Sequence, residues 1–173
     1  MYWYVLFVRT GYEYKVSTLI GKYANKETFS PFIPLVASMF KKAGVLKKEL
    51  KILFPGYVFI ESKLADRDFV DNIKPILGVT SQIIHLVRYS DTEVAMRESE
   101  KQTLVRLFDE NRCIEVSQAI SEGDRIQIVH GPLMGLGEIV KRVNRHKRVA
   151  WIEVAIMGDI RLVNVPLEIV ERR

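Results

Sequence analysis

The period of apolar positions changes several times along the chain, and each change marks an element. From Met1 to Arg9 the run YWYVLFV is aromatic and β-branched without a polar break, which predicts a buried strand interrupted at Gly11. Val16, Leu19, Ile20 and Tyr23 then recur at i, i+3, i+4 and i+7, one face of a helix. Pro31 and Pro34 bracket the entry to a second extended stretch. The segment Phe40–Lys51 is charged and carries Gly44, so it is expected to form a hairpin tip or an exposed connection. A strand, Gly56–Glu61, follows Pro55 directly, and Phe69, Val70, Ile73 and Ile76 predict a short second helix ending near Pro75 and Gly78. Ile83, Ile84, Leu86 and Val87 form a further short strand. Ser90-Asp91-Thr92-Glu93 has the form of a capping box, placed to start a third helix through Val94, Leu104, Val105 and Phe108.

From Cys113 onward the texture is different. Short β-branched runs (IEVS, RIQIVH, GEIVKRV, VAWIEVAIM, IRLVNV) are punctuated by Gly123, Gly131, Gly135, Gly137 and Gly158, a spacing typical of a small barrel. The pattern predicts an α/β domain followed by an all-β domain of about 50 residues, near the lower size for independent folding, with the boundary near residues 112–121. The domains are expected at 1–112 and 121–173, joined by a linker at 113–120.

Composition narrows the class. Apolar residues at 48% of 173 are enough to offset ordering entropy, so disorder is excluded over most of the length. The longest apolar runs are too short to cross a bilayer, and no basic segment precedes an apolar stretch as in a signal peptide. The single cysteine, Cys113, excludes an internal disulfide framework and a cysteine-based zinc site. A soluble, cytoplasmic protein without cofactor or bound metal is expected. The net charge of +5, from 26 Lys+Arg against 21 Asp+Glu, leans toward acidic partners without establishing one.

Catalytic signals are poor. His85, His130 and His146 are scattered and fall in no metal-binding spacing. GPLMGLGEIV lacks the Gly-Lys-Ser/Thr ending of a phosphate loop, so its glycines serve tight turns. The expectation is a protein that is not an enzyme. Cations are more informative. Lys141, Arg142, Arg145, Lys147 and Arg148, with His146 among them and no acid, crowd one turn of a domain that carries only 9 basic and 7 acidic residues from Ala119 on. Three of those five cations are arginines, which give planar, multi-donor contacts to phosphates and base edges. A second group, Lys41, Lys42, Lys47, Lys48 and Lys51, is offset only by Glu49 and reads as a solvated surface that protects strand edges.

Several stretches together resemble the NusG family of transcription elongation factors. WYVLFVRTGYE, FPGYVFIE and GVTSQI are similar, in order and spacing, to that family's N-terminal (NGN) domain. EGDRIQIVHGPLMGLGEIVKRVNRHKRVAWIEV, with its glycine–proline turn and the later Gly158, resembles a KOW domain. The resemblance covers nearly the full chain. It implies an α+β N-terminal domain, a four-stranded antiparallel sheet with flanking helices, followed by a small all-β SH3-like barrel. It also implies a monomer that binds bacterial RNA polymerase at the clamp helices of the largest subunit, through the positions matching Phe7, Phe54, Pro55 and Tyr57. Phe54 is the preferred anchor, because Pro55 and Gly56 set it at the mouth of a strand. Arg9 and Lys15 match positions near non-template DNA. Leu133, Met134 and Leu136 match the turn that meets Rho or a small-subunit ribosomal protein.

Two departures set this sequence apart from housekeeping members: the unusually cationic Lys141–Arg148, and Asp159 after Gly158, where a basic residue is common. They resemble the LoaP group of operon-specific antiterminators and place recruitment of Rho or the ribosome in doubt. The implied activity is processive antitermination, with the KOW domain binding nascent RNA, a leader hairpin. If Val143 faces the barrel interior, alternation turns Arg142 and Asn144 outward. Arg142 and Arg145 would then make bidentate contacts, Asn144 would read a base edge, and Lys141, Lys147 and Arg148 would meet phosphates beside His146. The alternatives are a housekeeping factor linking polymerase to Rho or the ribosome, and a ribosome-associated KOW protein, which would not need the aromatic N-terminal half.

Overall fold

A computed structural model describes residues 1–23 and 28–171; the last two residues of the expected second domain lie outside the described residues. The elements are β1 (Tyr2–Val8), α1 (Glu13–Tyr23), β2 (Ser30–Phe32), β3 (Leu35–Lys42), β4 (Val45–Ile52), β5 (Tyr57–Ser62), α2 (Asp66–Leu77) and β6 (Ile83–Leu86). After them come α3 (Glu98–Leu107), β7 (Cys113–Ile114), β8 (Ser117–Glu122), β9 (Arg125–His130), β10 (Val140–Asn144), β11 (Val149–Ile156) and β12 (Asp159–Glu171). They form two compact units, each assembled from separated segments. Unit 1 is Met1–Pro34, Phe54–Lys101 and Ile156–Gly158; unit 2 is Leu35–Leu53, Gln102–Ala155 and Asp159–Arg173.

Unit 1 is built on a four-stranded antiparallel sheet in the order β2-β5-β1-β6. β1 is an inner strand, and Trp3, Tyr4, Val5, Leu6 and Val8 are all buried, which is why its apolar run is continuous rather than alternating. Aromatic rings fill the space around it. Tyr4 stacks on Phe69 of α2 at 3.5 Å, and Trp3 meets Phe32 and Phe59 edge-on at 5.1 and 6.2 Å. α1 buries Val16 and Ile20; α2 buries Phe69, Ile73 and Ile76. Pro75 sits inside α2, near its C-terminal end, where its missing N–H and its ring disturb only the last turn of the helix. Unit 1 also holds the Ile156–Gly158 turn. The buried Glu100 carboxylate accepts from the Met157 and Gly158 amides (2.7 and 3.0 Å) and from the Tyr89 hydroxyl (2.8 Å).

The third helix begins later than the capping box suggests. Ser90 Oγ does accept from the Thr92 and Glu93 amides (3.3 and 3.1 Å), but Glu93 turns to Arg97 at 2.8 Å instead of back to Ser90. The motif closes a local turn, and α3 starts at Glu98.

Unit 2 contains a five-stranded sheet ordered β10-β11-β12-β8-β9, in which β12 runs parallel to β8 from Leu167↔Ser117 onward. A three-stranded sheet, β4-β3-β7, accompanies it. The segment expected as a hairpin tip or an exposed connection holds the tip of a regular β3–β4 hairpin, whose strands are in register from Leu35↔Ile52 to Lys42↔Val45. Its tip is Ala43-Gly44, both at positive φ (52° and 77°), as a two-residue hairpin loop requires. β3 also pairs in parallel with β7, Leu35↔Cys113 and Val36↔Ile114, which ties the hairpin to chain that lies far ahead in sequence. Between residues 113 and 120, Cys113, Ile114, Ser117 and Ala119 are buried in β7 and β8.

Candidate interaction surfaces

In unit 1 the register of three strands sets an aromatic row on one sheet face. Phe7 of β1 is opposite Tyr57 of β5 and His85 of β6, with ring centroids 5.4 Å apart in each case. Phe7 and Tyr57 are half-buried, and His85 is exposed. Such a row offers rigid, partly desolvated anchors to a partner. Gly56 keeps the approach to it tight: its φ is +87°, and a side chain there would meet Phe7 Cε2 and the Val8 carbonyl at 3.4 Å. Phe54 does not belong to this surface. It is 5% exposed and stacks on Phe59 at 6.0 Å, so the expectation of an exposed anchor is corrected. The chain turns at exposed Pro55 after Phe54 has already entered the core, and the Tyr57 amide donates back to the Phe54 carbonyl at 3.2 Å. Arg9 and Lys15 are both exposed, and Lys15 Nζ lies over the Tyr12 ring at 5.3 Å.

In unit 2 the glycine-punctuated turn spends its apolar residues unequally. Leu133 and Leu136 are buried, and only Met134, 55% exposed, reaches solvent. The expectation of a three-residue apolar patch therefore reduces to Met134. The Leu133 amide donates to Ser117 Oγ at 3.0 Å, which pins the turn to the start of β8.

The β10–β11 hairpin carries the cations. β11 buries Ala150, Ile152, Val154 and Ile156 and leaves the alternate positions half-buried or exposed, among them Trp151 and Glu153. Val143 is opposite buried Ala150, whereas Arg142 is opposite Trp151 and Asn144 opposite Val149, so Arg142 and Asn144 share the outer face. Arg145, His146, Lys147 and Arg148 form the turn, and all four are exposed. Asn144 Oδ1 accepts from the Lys147 amide at 3.0 Å, which shapes that turn. Arg145 donates to the Gly123 carbonyl (3.3 Å), and Lys141 donates to the Glu138 carbonyl (3.1 Å) and approaches Glu153 (3.9 Å). The Arg142 guanidinium lies over the Trp151 ring at 5.2 Å. In the sequence His85 stands out only as an isolated histidine and Trp151 only as one residue of a β-branched run. Period-2 alternation in VAWIEV could have put Trp151 on the outer face with Glu153.

Asp109, Cys113 and Glu115 come within 4.8 Å of one another, the one such group of metal-ligand types among the described residues. Their atoms have other partners. Asp109 accepts from the Asn111 and Cys113 amides (2.8 and 3.0 Å), Glu115 pairs with Lys48 (2.7 Å), and burial pushes the Cys113 thiol up to about 11. The arrangement is that of a braced loop. Among the described residues no helix is long and apolar enough to cross a membrane.

The chain thus combines a four-stranded antiparallel sheet flanked by helices with a strand-rich region that carries a basic hairpin. The model of the family described as "Transcription termination factor nusG" matches residues 1–105, and the chain belongs to the NusG family. Its first part is thus an NGN domain, and the protein is a transcription factor of the termination/antitermination class, which is not a class of enzymes. Among its relatives, the transcription termination/antitermination protein NusG of Pasteurella multocida is 22% identical over 98% of this chain and 94% of its own length. That of Thermus thermophilus is 24% identical over 90% of both chains, and that of Staphylococcus epidermidis 25% identical over 98% and 94%. A solved Thermotoga maritima NusG structure shares the fold, with a TM-score of 0.57 at 20% identity over 96% of this chain and 93% of that one.

Proposed function

We propose that this chain is a processivity factor for bacterial RNA polymerase that promotes antitermination at specific operons, in the manner of the LoaP group. In this reading residues 1–112 act as the polymerase-binding domain and residues 121–173 as an SH3-like KOW barrel that binds nascent RNA at a leader hairpin. The observation that carries it is the basic hairpin: Arg142 and Asn144 face outward, and Arg145–Arg148 project from the turn that joins the two strands. Cations so concentrated release counterions from a phosphate backbone, and the two arginines add directional contacts.

Binding energy is the whole mechanism. A factor that bridges the polymerase clamp to the other side of the cleft favours the closed, processive state to the extent that it binds that state better. The row Tyr57–Phe7–His85 is the surface suited to the clamp helices of the largest subunit, with Pro55 at its edge and Arg9 and Lys15 available to non-template DNA. Phe7→Ala should weaken polymerase affinity roughly tenfold or more while circular dichroism stays that of a folded protein. Unchanged affinity measured by surface immobilisation of polymerase would remove the row from the interface. The exposure of Met134 favours a second reading, a housekeeping link to Rho or a small-subunit ribosomal protein, which resonance mapping with each partner would test.

For the RNA, wild-type protein at fixed salt is expected to prefer the operon's leader hairpin over a scrambled one. Arg142→Ala/Arg145→Ala should erase that preference. It should also flatten the log–log dependence of affinity on salt by about 0.7 for each single-strand phosphate contact removed. Equal binding of both RNAs by wild type would reduce the cluster to a solvated basic turn.

A further inference from the structure

We infer that Trp151 is a stacking platform for an unpaired RNA base, held covered by Arg142 until RNA arrives. The inference rests on the RNA-binding reading of the same hairpin and names what that hairpin recognises: single-stranded bases next to the phosphates gripped by the turn.

Trp151 occupies an outer-face position of β11, the phase that carries Glu153, while the opposite phase supplies the buried Ala150, Ile152, Val154 and Ile156. The indole is half-buried and lies outside that buried phase, with part of its surface open to solvent. The guanidinium of its cross-strand neighbour Arg142 lies over the ring, 5.2 Å from the centroid. A guanidinium over an indole is a favourable but exchangeable contact at an exposed site. A base presents a larger π-face to the same ring, and Arg142, displaced from it, carries its planar donors to the adjoining phosphate. Glu153, an outward charge on the same strand, would repel RNA, and Lys141 Nζ stands 3.9 Å from its carboxylate.

Spacing supports the assignment. Arg148, at the end of the exposed turn, is three residues from Trp151, about 10 Å along an extended strand. That is within reach of a short single strand whose backbone lies on Arg145–Arg148. A paired base inside an A-form helix cannot present its face to a side chain, so the ligand must offer an unpaired one, in a loop, a bulge or an end.

The chain contains its own reporter. It has two tryptophans, and Trp3 is 0% exposed in the core of unit 1, so Trp151 is the indole that a ligand can reach. The full chain is titrated with a short oligoadenylate RNA and with a blunt RNA duplex of equal length. Oligoadenylate is expected to quench tryptophan emission as it binds, and the duplex to bind without quenching. Trp151→Leu should weaken oligoadenylate binding between about fivefold and a hundredfold, the range that base–aromatic stacking spans, and Trp151→Phe should recover most of it. Duplex affinity should be unchanged in both variants, which also reports that they are folded. Oligoadenylate binding with unaltered emission, or with equal affinity in Trp151→Leu, would overturn the platform and leave the RNA-binding hairpin standing. Failure of oligoadenylate alone to bind wild type would overturn the platform, and failure of both RNAs would overturn the platform and the RNA-binding hairpin together.

Discussion

Replacing Gly131 with alanine is expected to destabilise unit 2 by about 3 kcal/mol or more, the sum of overpacking and a left-handed side chain. The φ of Gly131 is +101°, and a Cβ there would lie 2.6 Å from Ser117 Cα, 2.9 Å from the Val116 carbonyl and 3.0 Å from Ser117 Oγ. Two of those atoms are backbone, and that backbone has nowhere to go. Ser117 is fully buried, its Oγ holds the Leu133 amide, and β8 is paired on one side with β12 (Leu167↔Ser117) and on the other with β9 (Gln118↔His130). Gly123→Ala supplies the control within the same unit. Its φ is +60°, but nothing lies within 4 Å of the added methyl, so only the conformational cost of about 1 kcal/mol remains. Hydrogen exchange at the β8 and β9 amides measures both. Equal protection in the two variants would mean that the turn relaxes around the methyl and that its packing is not a constraint.

What sequence could supply, and what it could not, follows from the range of each interaction. The continuous apolar run of β1 and the 3.6-residue stripe of α1 are set by the side of the element that is covered, and both are legible in the order of residues. The alternation of β11 is equally local, and it carries the outward placement of Arg142 and Asn144 through one short turn. The β3–β4 hairpin is different. β4 is exposed along nearly its whole length, so no buried face imposes alternation on VLKKELKI, and its strand character comes from pairing alone. The parallel pairings β3–β7 and β12–β8 join segments far apart in the chain, where periodicity has nothing to say. His85 enters the aromatic row only because β6 pairs with β1, and Arg142 lies over Trp151 because β10 pairs with β11. The capping box misled in the opposite direction, because Ser90 satisfies its hydrogen bonds in a local turn without any helix to follow directly.

Phe54→Ala is expected to cost about 3–5 kcal/mol, the usual range for truncating a buried phenylalanine. Phe54 is 5% exposed, and its ring stacks on Phe59 at 6.0 Å and an interplanar angle of 15°. Phe59 in turn meets Trp3 at 6.2 Å and Phe32 at 5.4 Å, so removing the Phe54 ring opens a cavity beside the aromatic cluster that organises the sheet. The damage would reach the surface. The Phe54 carbonyl accepts from the Tyr57 amide at 3.2 Å, and the Gly56 carbonyl accepts from the Val8 amide at 2.8 Å, so this turn sets Tyr57 beside Phe7. A loss of polymerase affinity in Phe54→Ala would therefore pass through the fold and would not make Phe54 a contact. Phe54→Leu separates the two. It nearly fills the site, should cost under about 1.5 kcal/mol, and should leave the proposed polymerase contact near wild type. Phe7→Ala should do the reverse, losing affinity with most of its stability retained. Urea denaturation and polymerase affinity, measured in parallel on the three variants, decide the matter. A Phe54→Leu protein with wild-type stability and lost affinity would return the Phe54 ring to the interface.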